Sequence, residues 1–298
     1  MNDKVFIPPI KIQGIKTKLV SLIKQNVSFD DNSVWIEPFM GSGVVGFNIE
    51  PHKAVFADTN PHIIEFYNQV KNLKITPSIV RSFIEHEGKL LEQGDDEYYY
   101  AVRKRFNSAH NPLDFLFLNR ACFNGMIRFN KNNEFNVPYG HKPQRFAKAY
   151  ITKIVNQVAH VAALLSKHDW KFICQPFENT ISMANKKDFI YCDPPYIGRH
   201  VDYYDSWDEQ AEYALYRALI KSEAKFMLST WACSAYRTND YILSVWKDCR
   251  KITKEHFYYV GAKETNRNPI VEALLTNYNV IDSKKYLLTE NIQASLFE

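Results

Sequence analysis

The chain runs to 298 residues, 46% of them hydrophobic and 23% charged, with 37 Lys and Arg against 33 Asp and Glu for a formal charge of +4. These values exclude whole-chain disorder and fibrous repeats, and the length suits about two domains, or one large domain carrying an insertion. Five cysteines without a C-x-x-C pair fit a reducing compartment, no apolar run approaches the ~18 residues of a membrane span, and MNDKVFIPPIK has no cleavable signal pattern, so a cytoplasmic protein is expected.

Residues 13–27 carry Ile15, Leu19, Leu22 and Ile23 on one stripe, which predicts a helix. A strand over 33–39 runs into a glycine turn and a helix over 41–49. A second strand, 54–60, ends in acid and amide residues. Pro61 then opens a helix to Leu73, since proline is well placed in a first turn. Strand, glycine turn, helix, strand, acid and helix make the first half of a doubly wound α/β sheet. Residues 76–120 predict two or three helices with a charged break at Gly94–Glu97. From 119 to 143 the chain reads as an irregular loop leading into a β-hairpin around Lys131–Asn133. The α/β pattern returns with an amphipathic helix over 152–167 and strands over 171–177, 188–198 and 224–230. A terminal hairpin from 257–264 and 268–279 closes the sheet. The expected fold is a Rossmann-like α/β body formed by 1–70 and 150–298. A helical and β-hairpin insert over 71–149 interrupts it, with the hairpin at about 119–140.

The charge is unevenly placed. Residues 103–145 hold eight Lys and Arg and two Asp and Glu, a net +6, so the rest of the chain sums to −2. A cationic segment on a near-neutral body predicts a site for an anionic partner. Arg128 sits there among Asn124, Gly125 and Asn130, short residues that suit entry into a groove. Its guanidinium can pair with guanine O6 and N7, with a phosphate, or with a structural partner in the protein. Lys142 and Arg145, flanking Pro143, read as clamps on a nucleic-acid backbone, though either could also read a base.

Two segments carry chemistry. Gly41, Gly43 and Gly46 give the spacing G-x-G-x-x-G, without the G-K-[ST] ending of a P-loop. By spacing alone, a tight strand–helix turn explains them too. Asp58, 15 residues past Gly43 at the end of the second strand, is placed to accept ribose hydroxyls. Glu37 brings negative charge beside the turn, which suits a cofactor with a positive head such as S-adenosylmethionine better than a pyrophosphate. YCDPPY (191–196) is the sharper signal. Its strand delivers Asp193 to the carboxyl end of the sheet, and Pro194 and Pro195 fix the backbone without competing amide donors. The Asp193 carboxylate and Pro194 carbonyl form a rigid acceptor pair, with Tyr196 as a flat surface beside it. An exocyclic NH₂ on a planar base needs such acceptors and a stacking face. Cys192, on the opposite face of the strand, reads as core. Nine dispersed histidines without an H-x-x-x-H pair imply no metal.

Together these residues resemble the Dam-type, D12-class DNA adenine-N6 methyltransferases over nearly the whole chain. The family's K-W-x-G-G-K is KIQGIK, with Lys11, Gly14 and Lys16 matching. Its D/E-P-F-x-G-x-G is EPFMGSG, giving Glu37, Phe39, Gly41 and Gly43, and its ribose acid is Asp58. Its target-recognition hairpin is Asn119 through Gly140, and its D-P-P-Y is Asp193–Tyr196. The resemblance implies an S-adenosylmethionine-dependent methyltransferase sheet acting on adenine N6 in double-stranded DNA by base flipping. Asp193, Pro194 and Tyr196 would carry the chemistry. Lys11, Gly14, Lys16, Glu37, Phe39, Gly41, Gly43, Asp58, Phe177 and Asp193 would hold the cofactor. Lys11, Arg120, Phe123, Asn124, Met126, Arg128, Asn136, Pro138, Tyr139, Lys142 and Arg145 would face DNA, with Phe123 as a wedge and Tyr203 or Tyr204 closing over the flipped base. The methylases that protect GATATC sites in restriction systems are the nearest resemblance. It implies a monomer paired functionally, without direct contact, to a restriction endonuclease.

Three other readings compete. RNA or protein-amide methylation uses similar Pro-Pro-Tyr acceptors, but the cationic hairpin favours duplex DNA. A catalytically inactive DNA-binding module conflicts with an intact Asp193 and glycine turn. A nicotinamide dehydrogenase lacks its customary His or Tyr-x-x-x-Lys set.

Overall fold

The computed structural model describes residues 4–197, 207–234, 236–257 and 269–280. Seven strands form one sheet: β1 (Val34–Glu37), β2 (Lys53–Asp58), β3 (Asp169–Cys174), β4 (Phe189–Cys192), β5 (Lys225–Ser234), β6 (Arg250–Phe257) and β7 (Pro269–Thr276). Their order is β3-β2-β1-β4-β5-β7-β6. β3 through β5 run parallel, and β7 lies antiparallel between β5 and β6. The chain builds outward from β1 through β2 to β3, then returns to place β4 on the other side of β1. That reversal opens a crevice at the carboxyl ends of β1 and β4, where open α/β sheets bind ligands.

The helices follow local signals. α1 covers Val20–Asn26 and α2 Val44–Ile49. Three others start on a cap followed by proline: α3 (Pro61–Lys71) on Asn60, α4 (Pro77–Ala109) on Thr76 and α5 (Pro112–Ala121) on Asn111. In each the cap oxygen accepts a first-turn amide, and proline removes a donor that the helix leaves unpaired anyway. α4 is broken at Asp95, with φ 43°, inside the expected charged break. α6 (Lys148–Lys167) returns the chain to β3. The short α7 (Phe177–Ile181), then α8 (Glu209–Ser222) and α9 (Tyr241–Ser244), cover the other side.

Several expectations are corrected. The helix expected over 13–27 begins only at Val20, because Gly14 takes φ +75° and Lys16 turns inward. β6 covers Arg250–Phe257, and the rest of the expected hairpin arm, 258–264, lies outside the described residues. The expected hairpin is no continuous ladder. It is held by isolated bridges, Cys122 to Tyr139 and Phe129 to Phe135, although its tip does fall at Lys131–Asn133. The inserted helices also share a core with the sheet. Ile84, Leu91, Tyr99, Phe106 and Phe115 belong to the same buried cluster as Trp35, Phe47 and Phe56. A second cluster lies under α7, α8 and α9 and holds Ile190, Cys192, Leu215 and Trp246.

Candidate active site

β1 and β4 pair in parallel, with Trp35 opposite Phe189 and Ile36 opposite Ile190. The glycine turn and Asp193 therefore emerge side by side. Gly43 has φ +77°, and a Cβ there would lie 2.7 Å from the Phe47 ring. Gly46 is packed as closely. A Cβ on it would meet Glu37 Oε2 at 2.6 Å and Phe56 at 2.2 Å, so α2 lies directly on the strands. Asp58 ties the turn to the end of β2. Its Oδ2 accepts from the Gly41 amide and its Oδ1 from the Asn60 amide, each at 2.9 Å. A carboxylate oxygen can accept more than one donor, so this anchored group can still receive ribose hydroxyls. Gln175, after β3, donates to the Asp58 carbonyl at 3.3 Å.

Glu37 departs from its expected part. It is 2% exposed, and its Oε2 accepts from Trp35 Nε1 at 2.9 Å and the Gly46 amide at 3.1 Å. Burial pushes its carboxyl up to about 8, against the lowering effect of those donors. Glu37 braces strand to helix through these bonds.

Asp193 follows β4, and Lys16 Nζ lies 2.9 Å from its Oδ1. The same ammonium donates 2.7 Å to the Gly14 carbonyl and stands 4.9 Å from the Tyr196 ring centroid. Gly14, Lys16, Asp193 and Tyr196, distant in sequence, thus meet at one point. Lys16 is 5% exposed and Asp193 keeps 21% of its side chain accessible. Burial raises Asp193 to about 6; Lys16 opposes that rise and Glu272 adds to it. For Lys16, burial alone would lower the pKa, but Asp193, Tyr196 and Glu272 carry it well above the ordinary lysine value. The pair is therefore an ammonium held against a carboxylate. Glu272 was missed in the sequence reading. It is 2% exposed on β7, opposite Trp231, whose indole donates 3.2 Å to the Ile197 carbonyl. Its signal was a single acid inside the apolar run PIVEALLT. Cys192 is buried, as expected.

Beside the turn, three rings gather. Phe39 stacks on Phe177 at 5.3 Å, and Trp207 meets Phe39 at 5.5 Å edge-on and Phe177 at 5.6 Å. Pro176 precedes α7 at its N-cap and brings Phe177 to this place.

The DNA-facing residues separate into two groups. Phe123 is 51% exposed, and Asn124, Pro138 and Lys142 are exposed near it. Met126 is half-buried against the core. Lys11 is half-buried and tied to α5: Asn119 Oδ1 accepts from its amide and Nδ2 donates to its carbonyl. Burial, with Arg120 and Arg145 nearby, lowers Lys11 to about 8. An anion arriving there would raise it again by favouring the ammonium form.

Arg120 and Tyr139, by contrast, are buried. Arg120 is 7% exposed and donates to the Pro9 carbonyl and Gln157 Oε1. Tyr139 is 2% exposed and stacks on Tyr99 at 5.1 Å. Arg145 donates to the carbonyls of Arg120 and Cys122, which makes it a brace of the hairpin base. Arg128 Nε donates 2.8 Å to Asn136 Oδ1, so these two candidates are paired across the hairpin. Arg105, part of the cationic segment, is engaged by Glu87 and Asp114. Arg105 is thus paired with acids, whereas Arg120, Arg128 and Arg145 bond to neutral oxygens and keep their charge. Tyr203 and Tyr204 lie outside the described residues. Asp95, Asp96 and His141 form an exposed surface group at the α4 break, with His141 Nδ1 3.2 Å from Asp96.

Comparison with known proteins agrees with this geometry. A family model described as D12 class N6 adenine-specific DNA methyltransferase matches residues 13–266. The DNA adenine methylase of Haemophilus influenzae is 35% identical over 198 residues, covering 63% of this chain and 63% of that protein. Type II methyltransferase M.MjaIII of Methanocaldococcus jannaschii is 32% identical over 253 residues, covering 74% and 83%. Type II methyltransferase M.FokI of Planomicrobium okeanokoites is 29% identical over 282 residues, covering 91% of this chain and 42% of that protein. The chain therefore spans less than two thirds of the H. influenzae and P. okeanokoites relatives.

Proposed function

Because the chain belongs to the D12 class N6 adenine-specific DNA methyltransferases, we propose that it transfers a methyl group from S-adenosylmethionine to adenine N6 in duplex DNA. The observation that carries this reading is the Asp193 carboxylate at the sheet's carboxyl end, ion-paired to buried Lys16 and flanked by Tyr196. The residues present fit the cofactor. The glycine turn has no room for side chains, and Asp58 is anchored where ribose hydroxyls would meet it. When bound, S-adenosylmethionine supplies an electrophilic methyl group on a sulfonium.

Adenine N6 is a poor nucleophile because its lone pair is delocalised into the ring. Asp193 and the Pro194 carbonyl accept from its two hydrogens and direct the lone pair outward. These acceptors gain strength as positive charge grows on N6. The N–C bond forms as the C–S bond breaks, and the proton then shed by N6 goes to Asp193 or to solvent. Tyr196 stacks on the base, which must leave the helix to reach this depth. Phe123 fills the gap left in the duplex, and Asn124, Pro138, Lys142 and Lys11 contact DNA. In this reading 71–149 recognises the target while 1–70 and 150–298 perform the chemistry. The protein acts as a monomer in the cytoplasm, as the protective methylase of a restriction system, on GATATC or another GAT-containing site. Its affinity to two type II methyltransferases supports that role.

Labelled methyl transfer from S-adenosylmethionine to a panel of duplexes tests the reading. Incorporation at adenine N6 in GATATC-bearing DNA is expected, and incorporation only into RNA or protein would overturn it. Asp193→Ala should lose about 3 kcal/mol of transition-state stabilisation, roughly 100-fold in rate, with DNA binding kept.

A further inference from the structure

Trp207 and Glu212 have no part in the motifs above, yet they are held unusually firmly. Asp208 caps α8, its Oδ1 accepting from the Ala211 amide at 2.9 Å. Trp207 therefore precedes the cap, and Glu212 lies one turn into the helix. Residues at these two places often meet as an apolar staple that sets the entry of the chain. Here the contact is a charge-assisted hydrogen bond. Trp207 Nε1 donates to Glu212 Oε2 at 2.6 Å, and Trp246 Nε1 donates to Oε1 of the same carboxylate at 2.7 Å. Glu212 is 4% exposed and Trp246 1% exposed, packed against Tyr216 and Phe226. A buried carboxylate bridging two indoles is costly to form unless both bonds are made. The arrangement fixes the Trp207 ring to the core of the second cluster.

The ring so fixed is only half-buried, and its neighbours are Phe39 and Phe177. Both reach it from segments tied to Asp58. Phe39 stands two residues before Gly41, whose amide binds the Asp58 carboxylate. Phe177 stands two residues after Gln175, whose amide binds the Asp58 carbonyl. A nucleoside whose ribose meets Asp58 has its planar base directed toward such flanking rings. We infer that Trp207 is a wall of the pocket for the adenine of the cofactor, and that Glu212 is the positioning residue that orients it. Trp207 supplies a broad aromatic face, and Glu212 removes the rotamer freedom that binding would otherwise have to freeze. The inference rests on reading this site as one for S-adenosylmethionine.

Calorimetric titration of S-adenosylhomocysteine into the full chain tests it, alongside duplex DNA binding without cofactor. Trp207→Ala should weaken S-adenosylhomocysteine about 10-fold or more, the scale of one lost stacking face, and leave DNA affinity unchanged. Trp207→Phe should keep most of the affinity. Glu212→Gln should weaken binding when Trp207 is present, and add nothing in the Trp207→Ala background, because it acts through that ring. Equal losses of cofactor and DNA affinity, or additive effects of the two substitutions, would assign both residues to fold maintenance and overturn the inference. Unchanged affinity in Trp207→Ala would overturn it as well. A wild-type chain that does not bind S-adenosylhomocysteine would instead sink the methyltransferase reading.

Discussion

The smallest unit that decides the chemistry is the contact between Lys16 and Asp193. Burial raises the aspartate to about 6, with Lys16 holding it down and Glu272 pushing it up. Tyr196, Tyr191, Glu37 and Cys192 also face the pair. The ionised carboxylate is the stronger acceptor as positive charge grows on N6, so activity should fall as pH drops through the Asp193 value. Lys16→Met removes the lowering influence and leaves burial and Glu272 unopposed. The acid limb of the single-turnover rate should then move to higher pH by about one unit or more. Lys16→Arg should restore part of that shift. An unmoved acid limb in Lys16→Met would show that the lysine does not set the charge of Asp193.

At the scale of elements, the hairpin is a braced loop rather than a ribbon. Asn130 Oδ1 accepts from the amides of Asn132 and Glu134, which closes the tip. Arg128 spans to Asn136 by its Nε and to the Asn136 carbonyl by an Nη. Below them Phe129 lies against Phe135, and Tyr99 donates to the Val137 carbonyl at 2.8 Å. The sequence left Arg128 open to base contact, phosphate contact or structural pairing, and its bonds to Asn136 favour the last. Arg128→Ala and Asn136→Ala should therefore behave alike. Each should cost about 1 kcal/mol, spread evenly over the cognate site and its single-base variants. Methylation rates across such variants decide it: relaxed discrimination at one base position in Arg128→Ala alone would return the residue to direct readout.

Across the whole molecule, one imidazole joins three elements and links stability to pH. His62, at the start of α3, is 7% exposed, with His110 at 5.0 Å, Phe129 stacked at 4.9 Å and Phe106 at 4.9 Å. Its Nε2 has no hydrogen-bond partner among the described residues. Burial, helped by His110, lowers its pKa from 6.5 to about 4. The unfolded chain binds this proton more readily, so folding stability from the site is complete above about 6.5 and lost as pH falls to about 4. The full loss is about 3 kcal/mol. Urea midpoints across that range should fall for the wild-type chain and stay flatter for His62→Phe. Parallel pH dependence of the two would exclude His62 as the source.

The sequence by itself determined what local chemistry can state. The caps and prolines at Asn60, Thr76 and Asn111 start helices wherever they stand, and Gly43 allows a left-handed turn in any fold. Asp193 before two prolines announced an acceptor array because the motif is contiguous and stiff. Partners brought together by folding were not legible. Nothing in the spacing of Lys16 and Asp193 shows that they touch, that Glu272 on β7 acts on both, or that Trp207 meets Phe39 and Phe177. Nor does a count of charges show what each cation touches. Arg105, Arg120, Arg128 and Arg145 look like an anion-binding run in one dimension, but in three each finds an internal acceptor. A cation's role depends on which acceptor lies within about 3 Å of it, and only the tertiary structure fixes that distance.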